Sequence, residues 1–279
     1  MKIVITHINP DFDAVASAYA AYKLYGCDHI AMCTNMENNV YNFIKENEFN
    51  INIKQYNDKV LNELESIDTL IITDCNQRQR LGRLAALIDI AKEVIIYDHH
   101  SGISCDISAD KKNILEIGAA TSILCLKMQE KGITLLPLES TFLSLGIYED
   151  TGLFTFSKTT ANDALALSYL ISQKADTTSA NDYVQRELSN IQVMLLNELL
   201  LNLSIITVGC VDVAYSCATV DEYIDEAAFI AHKLMIIEGL NSLFILLSTG
   251  GRLVLIGRSN DSRVNVLSIV SQFGGGGHS

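Results

Sequence analysis

Apolar residues in this chain fall into short continuous runs that stop abruptly at carboxylates and imidazoles. Ile3-Val4-Ile5 runs into Thr6-His7-Ile8-Asn9-Pro10-Asp11-Phe12-Asp13. Thr69-Leu70-Ile71-Ile72-Thr73 stops at Asp74, and Glu93-Val94-Ile95-Ile96-Tyr97 stops at Asp98-His99-His100. Short β-branched runs that are apolar at successive positions predict strands buried on both faces. Residues 30–33 form a further candidate strand. Between these runs the apolar spacing turns helical, over residues 14–26, 37–46, 59–65 and 83–91. Further helices are predicted over 119–130, bracketed by Gly118 and Gly132, over 138–145 after Pro137, and over 162–172. The helix after Pro137 should end near Gly146, which would leave Asp150 in a loop. Strands alternating with helices predict an α/β fold with a doubly wound, mostly parallel sheet.

The pattern changes in the second half. Residues 174–182 are polar and turn-like, and 183–203 read as a helix. Long β runs then follow, over 203–218, 243–248 and 252–259, around one helix at 221–237. The expected organisation is an α/β domain over 1–180, a helical linker over 181–203 and a smaller α+β domain over 204–279.

Composition narrows the classes. Hydrophobic residues make up 49% and charged residues 19% of the 279, enough for a sizeable core and too apolar for disorder. A formal net charge of -13 opposes a surface that grips a long nucleic-acid duplex, because neutralising phosphates takes Lys and Arg. A small anionic substrate remains compatible, since bound cations invert the local sign of a site. The seven cysteines contain no C-x-x-C pair and suit a reducing compartment. Cys75, beside Asp74, reads as a packing residue. The chain enters a strand at its first residues without a signal peptide. Its most apolar long stretch, 199–213, is broken by Asn202 and Asp212. These features predict a cytoplasmic protein that does not enter a membrane.

The chemistry lies where the apolar runs stop. Ligands in open α/β sheets bind beyond the carboxyl ends of the strands. There the chain offers His7, Asp11 and Asp13, then Asp74, then Asp98, His99 and His100, with Asp150 later. Taken singly, Asp13 reads equally well as a helix cap and His7 as a loop histidine. Taken together, so many carboxylates on one crevice would repel and raise one another's pKa values. A pair of divalent cations relieves that repulsion, and imidazole plus carboxylate without thiolate suits a hard or borderline ion such as Mn2+. Two metals roughly 3.5–4 Å apart are a common arrangement for hydrolysing phosphate esters.

These motifs, H-x-x-P-D-x-D at 7–13, Asp74, D-H-H at 98–100 and D-T-G at 150–152, resemble the four motifs of the DHH phosphoesterase superfamily. Gly257-Arg258-Ser259, Val264-Asn265-Val266 and the GGGGH run at 274–278 resemble its associated C-terminal domain. The stretches THINPDFDAVAS, LGIYEDTGLFTFS and HKLM are similar to the N-terminal unit of bacterial fusion proteins. In those proteins the unit precedes CBS domains and a tRNA nucleotidyltransferase or poly(A) polymerase module. The resemblance implies that His7, Asp11 and Asp74 hold one Mn2+. Asp13, Asp74, His99 and Asp150 would hold a second, with Asp74 bridging and Mg2+ or Co2+ as substitutes. His100 would face the substrate phosphate, and Asp98 would orient the histidine pair. Arg258, Ser259, Gly274, Gly275, Gly276, Gly277 and His278 would bind substrate, the glycines by letting backbone N–H groups approach an anion. A tight turn is the bland alternative for that run. Arg252, Arg258 and Arg263 outnumber Asp261, which fits an anion-facing surface.

The implied activity is Mn2+-dependent hydrolysis of a short nucleotide: a nanoRNA, 3'-phosphoadenosine phosphate or a cyclic dinucleotide. Pyrophosphatase or exopolyphosphatase activity is one alternative. An accessory role within a larger nucleotidyltransferase or polymerase fusion is another. Because the family continues past GGGGH, the second domain is expected to be incomplete, with fused domains beyond residue 279. The apolar stretch 193–201 reads as core packing, with a homodimer face as the alternative.

Overall fold

A computed structural model describes residues 1–101, 104–184, 188–221 and 227–274. The chain divides into two compact units, Met1–Arg186 and Glu187–Ser279. The first contains, in order, β1 (Lys2–Ile5), α1 (Phe12–Tyr25), β2 (His29–Met32), α2 (Asn38–Glu46), β3 (Ile53–Gln55), α3 (Asp58–Glu63) and β4 (Ile67–Thr73). A 3-10 segment, Arg78–Ala86, leads into α4 (Leu87–Ile90), β5 (Ala91–Asp98) and β6 (Lys111–Ile114). Then come α5 (Ala120–Glu130), α6 (Pro137–Thr151), α7 (Ala161–Ser172) and α8 (Ser179–Tyr183).

Six strands form one parallel sheet in the order β3-β2-β1-β4-β5-β6. The chain moves outward from β1 to β2 and β3, then returns to place β4 on the other side of β1. The order therefore reverses between β1 and β4, the switch point at which open α/β sheets leave a crevice. Successive side chains of each strand serve opposite layers. Val4, Ile71 and Ile95 join the core under α1, α5 and α6, whereas Ile3, Ile5, Leu70, Ile72 and Ile96 join Leu81, Leu84 and Leu87 on the other face. The continuous apolar runs follow from burial on both sides.

Helix α1 is buried over Phe12–Ala21 and rich in alanine, because it packs on the sheet and on both α5 and α6. Gly146 makes that approach close. A Cβ there would lie 2.8 Å from the Ala16 Cβ, 2.9 Å from the Thr121 Oγ1 and 3.2 Å from the Asp13 Cα. Gly146 thus serves helix packing and does not end the helix. α6 continues to Thr151 and stops at Gly152, which takes the left-handed conformation (φ 54°). Asp150 consequently lies in the last turn of α6, not in a loop.

Other expectations shift for similar reasons. The helix expected over 83–91 is divided: residues 83–86 end a 3-10 segment kinked at Gly82, Leu87–Ile90 form α4, and Ala91 begins β5. β3 and β6 carry little apolar signal because they are the sheet's edges, and the two lysines of β6 suit an edge.

The second unit contains α9 (Asn190–Leu201), β7 (Ser204–Val208), β8 (Val211–Val220), α10 (Ala227–Glu238), β9 (Ser242–Thr249), β10 (Arg252–Ser259) and α11 (Val266–Val270). Its sheet runs β10-β9-β8-β7, with β8 and β9 parallel and the outer pairs antiparallel. The single run expected over 203–218 is a hairpin that turns at Gly209 (φ 64°). Of the apolar stretch in α9, Leu195, Leu196 and Leu199 enter this unit's core, while Met194 and Leu201 face outward. No helix among the described residues is long and apolar enough to cross a membrane.

Candidate metal centre

The centre is built at the ends of β1, β4 and β5 and the C-terminal turn of α6. Thr6 Oγ1 donates to the Thr73 carbonyl at 2.9 Å, tying the ends of β1 and β4 together. Asn9 adopts a positive φ of 51° and turns the chain so that Asp11 caps α1, accepting the Ala14 N–H at 3.0 Å. Phe12 points the other way and packs edge-on against Phe43 and Phe142. Asp74 also has a positive φ, 52°, unusual for a residue with a side chain but tolerated by Asp. Its N–H still donates to the Tyr97 carbonyl at 2.8 Å, so the turn begins without breaking the β4–β5 ladder.

Asp74 lies between two imidazoles. Its Oδ2 is 3.1 Å from His7 Nε2 and its Oδ1 is 3.3 Å from His99 Nε2. His99 Nε2 is also 3.0 Å from Asp150 Oδ2 and 4.0 Å from Asp13 Oδ2. Two sets of donor atoms converge within 4.8 Å: His7, Asp11 and Asp74, and Asp13, Asp74, His99 and Asp150. A third set joins Asp74, His99 and His100. His100 Nδ1 lies 2.8 Å from Asp98 Oδ1 and 3.5 Å from Asp74 Oδ1, and its side chain is 27% exposed. The fully buried Asp98 also accepts the His99 N–H at 2.9 Å through the same oxygen.

The orientation of the rings fits a cation. His7 Nδ1 lies 2.8 Å from the Ile8 carbonyl and His99 Nδ1 lies 3.3 Å from the Ile117 carbonyl. A carbonyl only accepts, so each Nδ1 carries the proton and each neutral ring turns its Nε2 lone pair toward carboxylates. Lone pairs facing carboxylate oxygens repel unless a proton or a metal lies between them. His99 Nε2 and Asp74 Oδ1 are close but poorly aligned, and both are buried without a hydrogen-bond partner. Buried polar atoms rarely stay unpartnered. The donor set, imidazole nitrogens and carboxylate oxygens without sulfur, suits Mn2+ or a similar divalent ion.

Electrostatics carries the same signature. Burial, then the charges of Asp74 and Asp150, push Asp11 up to about 7. Burial and the same two neighbours raise Asp13. Desolvation works against ionised Asp74, but the His7 hydrogen bond and the His99 imidazole outweigh it and hold the carboxyl below its ordinary value. Desolvation would lower His7 and His99, yet facing Asp74, and for His99 also Asp150, leaves both raised. Such mutual shifts are what carboxylates and imidazoles crowded into one buried crevice produce.

Asp13 performs two tasks. Its oxygens accept the Ala120 and Thr121 N–H groups at 2.7 and 2.8 Å, capping α5, and they also border the cluster. The cap and ligand readings of Asp13 are therefore not exclusive. Two supporting acids escaped the sequence reading. Glu149 accepts the Phe12 N–H at 2.7 Å and the Asn39 amide at 3.1 Å, fixing the backbone between Asp11 and Asp13. Burial and the nearby Asp11 push it up to about 8. The fully buried Asp163 takes N–H groups from Gly118, Ala119 and Thr160 and hydroxyls from Ser122 and Thr160. It thereby holds the start of the helix that Asp13 caps. Thr160-x-x-Asp163 resembles a capping box and was legible as such. Glu149 carried no local signal.

In the second unit, Arg258 and Ser259 line a cavity of about 670 Å3 with His232, Asn260 and Asn265. The Ser259 hydroxyl is engaged with Ser242 Oγ at 2.8 Å and with Asp261. Arg263 is held by Asp261 at 2.6 Å, so it adds less free positive charge than a residue count suggests. Gly274 ends a 3-10 turn in the left-handed conformation (φ 78°) and does not line this cavity. Gly275, Gly276, Gly277 and His278 lie outside the described residues. Cys75 is fully buried in the core, as a packing residue should be.

Comparison with known proteins gives a consistent picture. The model of the DHH family, N-terminal domain, matches residues 2–147. The chain is 36% identical over 283 residues to an A-adding tRNA nucleotidyltransferase of Geobacter sulfurreducens, covering 100% of this chain and 32% of that protein. It is 29% identical over 225 residues to a cyclic-di-AMP phosphodiesterase of Geobacillus thermodenitrificans, covering 77% of this chain and 33% of the relative. The chain thus spans about a third of the length of these relatives. A crystal structure of an exopolyphosphatase-related protein from Bacteroides fragilis shares the fold, with a TM-score of 0.76 at 18% identity over 99% of this chain and 84% of that one.

Proposed function

Since the chain belongs to the DHH family, we propose that its first unit is a Mn2+-dependent phosphoesterase acting on a short nucleotide. The observation that carries this reading is the placement of Asp74, whose two oxygens each face a different imidazole Nε2 at 3.1 and 3.3 Å. One carboxylate between two donor sets is what a pair of ions needs. His7, Asp11 and Asp74 would hold one ion, and Asp13, Asp74, His99 and Asp150 the other. When bound, the ions supply Lewis-acid stabilisation of charge developing on phosphoryl oxygens.

The chain's own groups supply the rest. Asp98 accepts the Nδ1 proton of His100 and so fixes the ring with Nε2 directed away from it. His100 is the more exposed of the DHH histidines, with 27% of its side chain accessible against 8% for His99. As an imidazolium it donates Nε2–H to a phosphoryl oxygen or protonates the departing oxygen, and Asp98 stabilises its charge. Glu149 and Asp163 hold the backbones that carry Asp11 and Asp13. In the second unit, Arg258 is proposed to bind an anionic part of the nucleotide, with Ser259 shaping the turn beside it. The phosphodiesterase relative supports a nucleotide substrate: a nanoRNA, 3'-phosphoadenosine phosphate or a cyclic dinucleotide. Similarity to the tRNA nucleotidyltransferase favours a second reading, in which this phosphoesterase unit trims RNA ends as one part of a longer polypeptide.

The test is a hydrolysis panel with Mn2+ on short RNA, 3'-phosphoadenosine phosphate, cyclic dinucleotides and pyrophosphate. Asp74→Ala should lower every activity by at least a thousandfold and abolish tight Mn2+ binding, since it removes a ligand shared by both ions. Wild-type turnover by that variant would end the two-metal reading. Turnover of pyrophosphate alone would redirect the substrate assignment.

A further inference from the structure

Arginine has the strongest unmet demand for a partner of any side chain, with five N–H donors and a charge that it keeps at all accessible pH values. The described residues of the first unit include three arginines, all in the segment after β4. Arg78 pairs with Asp89, and Arg83 lies 3.5 Å from Asp58. Arg80 is the exception. It is half-buried, and its guanidinium makes no hydrogen bond or ion pair with any described residue.

Its position is specific. The Arg80 carbonyl accepts the Ile8 N–H at 2.9 Å, which pins the residue against the neighbour of His7. Two residues on, Gly82 has a positive φ of 55°, and a Cβ there would lie 2.7 Å from Ile8 Cγ2. The segment is therefore packed closely on the β1 turn. A half-buried cation without a carboxylate partner thus stands on the segment that packs against the turn between His7 and Asp11. Its fork of donors is open to an anion that a substrate brings to that turn.

We propose that Arg80 is a substrate-binding residue whose guanidinium forks onto a non-bridging phosphate oxygen pair beside the metal centre. This rests on the phosphoesterase reading of the same site. The ligand chemistry is that of a phosphate monoanion or dianion, for which a planar fork is the matching donor. Arg80 would fix the phosphate against the ions without itself ligating them.

The experiment titrates inorganic phosphate by calorimetry into the Mn2+-loaded chain, carrying Arg258→Ala throughout so that the second unit's cavity does not contribute. Arg80→Met should weaken phosphate binding about ten- to a hundredfold, with Mn2+ affinity unchanged. Arg80→Lys should recover part of it, because charge returns without the fork. Arg80→Gln, checked by circular dichroism, covers the case in which Met disturbs the fold. In hydrolysis assays the Met variant should raise KM more than it lowers kcat. Wild-type phosphate affinity in both Met and Gln variants overturns the proposal, as does failure of phosphate to bind the Mn2+-loaded Arg80 chain. Weakened phosphate binding in a chain that hydrolyses nothing would leave the Arg80 site standing and the phosphoesterase reading fallen.

Discussion

The two units place their charged groups in opposite ways. In the first, His7, Asp74 and Asp98 are buried at the ends of parallel strands and Asp13 in the first turn of α1, and backbone N–H groups, capped helices and second acids hold them in place. In the second, Arg258 stands exposed on an edge strand of a four-stranded mixed sheet, in an open cavity whose serine and neighbouring arginine are engaged elsewhere. Holding a cation requires several donors fixed to within a fraction of an ångström, which only a packed surround provides. Holding part of a nucleotide requires access and tolerates adjustment. The difference is one of side chains fixed by a packed surround in the first unit against an exposed, adjustable side chain in the second.

Gly146 is the sharpest point at which to break that contrast. Gly146→Val should destabilise the chain by about 3 kcal/mol, since overpacking a core helix contact costs roughly 1–3 kcal/mol and this one meets the Asp13 backbone. Thermal melts would read the loss, and Mn2+ affinity should fall with it because Asp13 moves. Unchanged metal binding in a folded Gly146→Val chain would show that the centre does not depend on the α1–α6 approach.

The next effect comes from pH and metal together. Asp11, pushed up to about 7, and Glu149, pushed up to about 8, keep protons in the folded metal-free chain that the unfolded chain releases near pH 4. More protons bound in the folded state means stability falls as pH rises across that interval. His7 and His99, both raised, contribute stability that is complete below about 6.5 and declines above it. Asp74 is lowered, so its contribution is already present above about 4 and is constant over the window. The melting temperature of the metal-free chain should therefore drop by roughly 5 °C from pH 5 to pH 8, and Mn2+ should raise it more at pH 8 than at pH 5. A metal-free chain that gains stability toward pH 8 would contradict the crowding of carboxylates.

The smallest effect belongs to the second unit. Arg258→Ala should raise KM for nucleotide substrates about tenfold with kcat within about twofold, and leave the melting temperature unchanged. Ser259→Ala should change KM less, because its hydroxyl already serves Ser242 and Asp261. Steady-state kinetics on the two variants would separate an adjustable grip from a second fixed site.

How much of this was legible depended on how local the signal was. The strands β1, β4 and β5 were readable because burial on both faces demands unbroken apolar runs. The residues at their ends were readable because the runs stop at acids and histidines. β3 and β6 were not, since an edge strand needs few apolar side chains. Gly146 misled because glycine weakens an isolated helix, whereas here α1 needs the space that its missing side chain leaves. Glu149 and Arg80 were invisible because their roles come from Phe12 and Ile8, distant in the chain.

The sequence by itself determined that the chain alternates strand and helix, that its ligand-type residues stand where strands end, and that its order of motifs matches one family. Those properties are periodic or contiguous, so they survive projection onto one dimension. Only the tertiary structure decided which atoms meet. It turned each Nε2 of His7 and His99 toward Asp74, gave Asp13 both a helix to cap and a cluster to border, and left Arg80 without a carboxylate among the described residues. Such facts depend on ring orientation and on the packing of segments dozens of residues apart, which spacing along a chain does not encode.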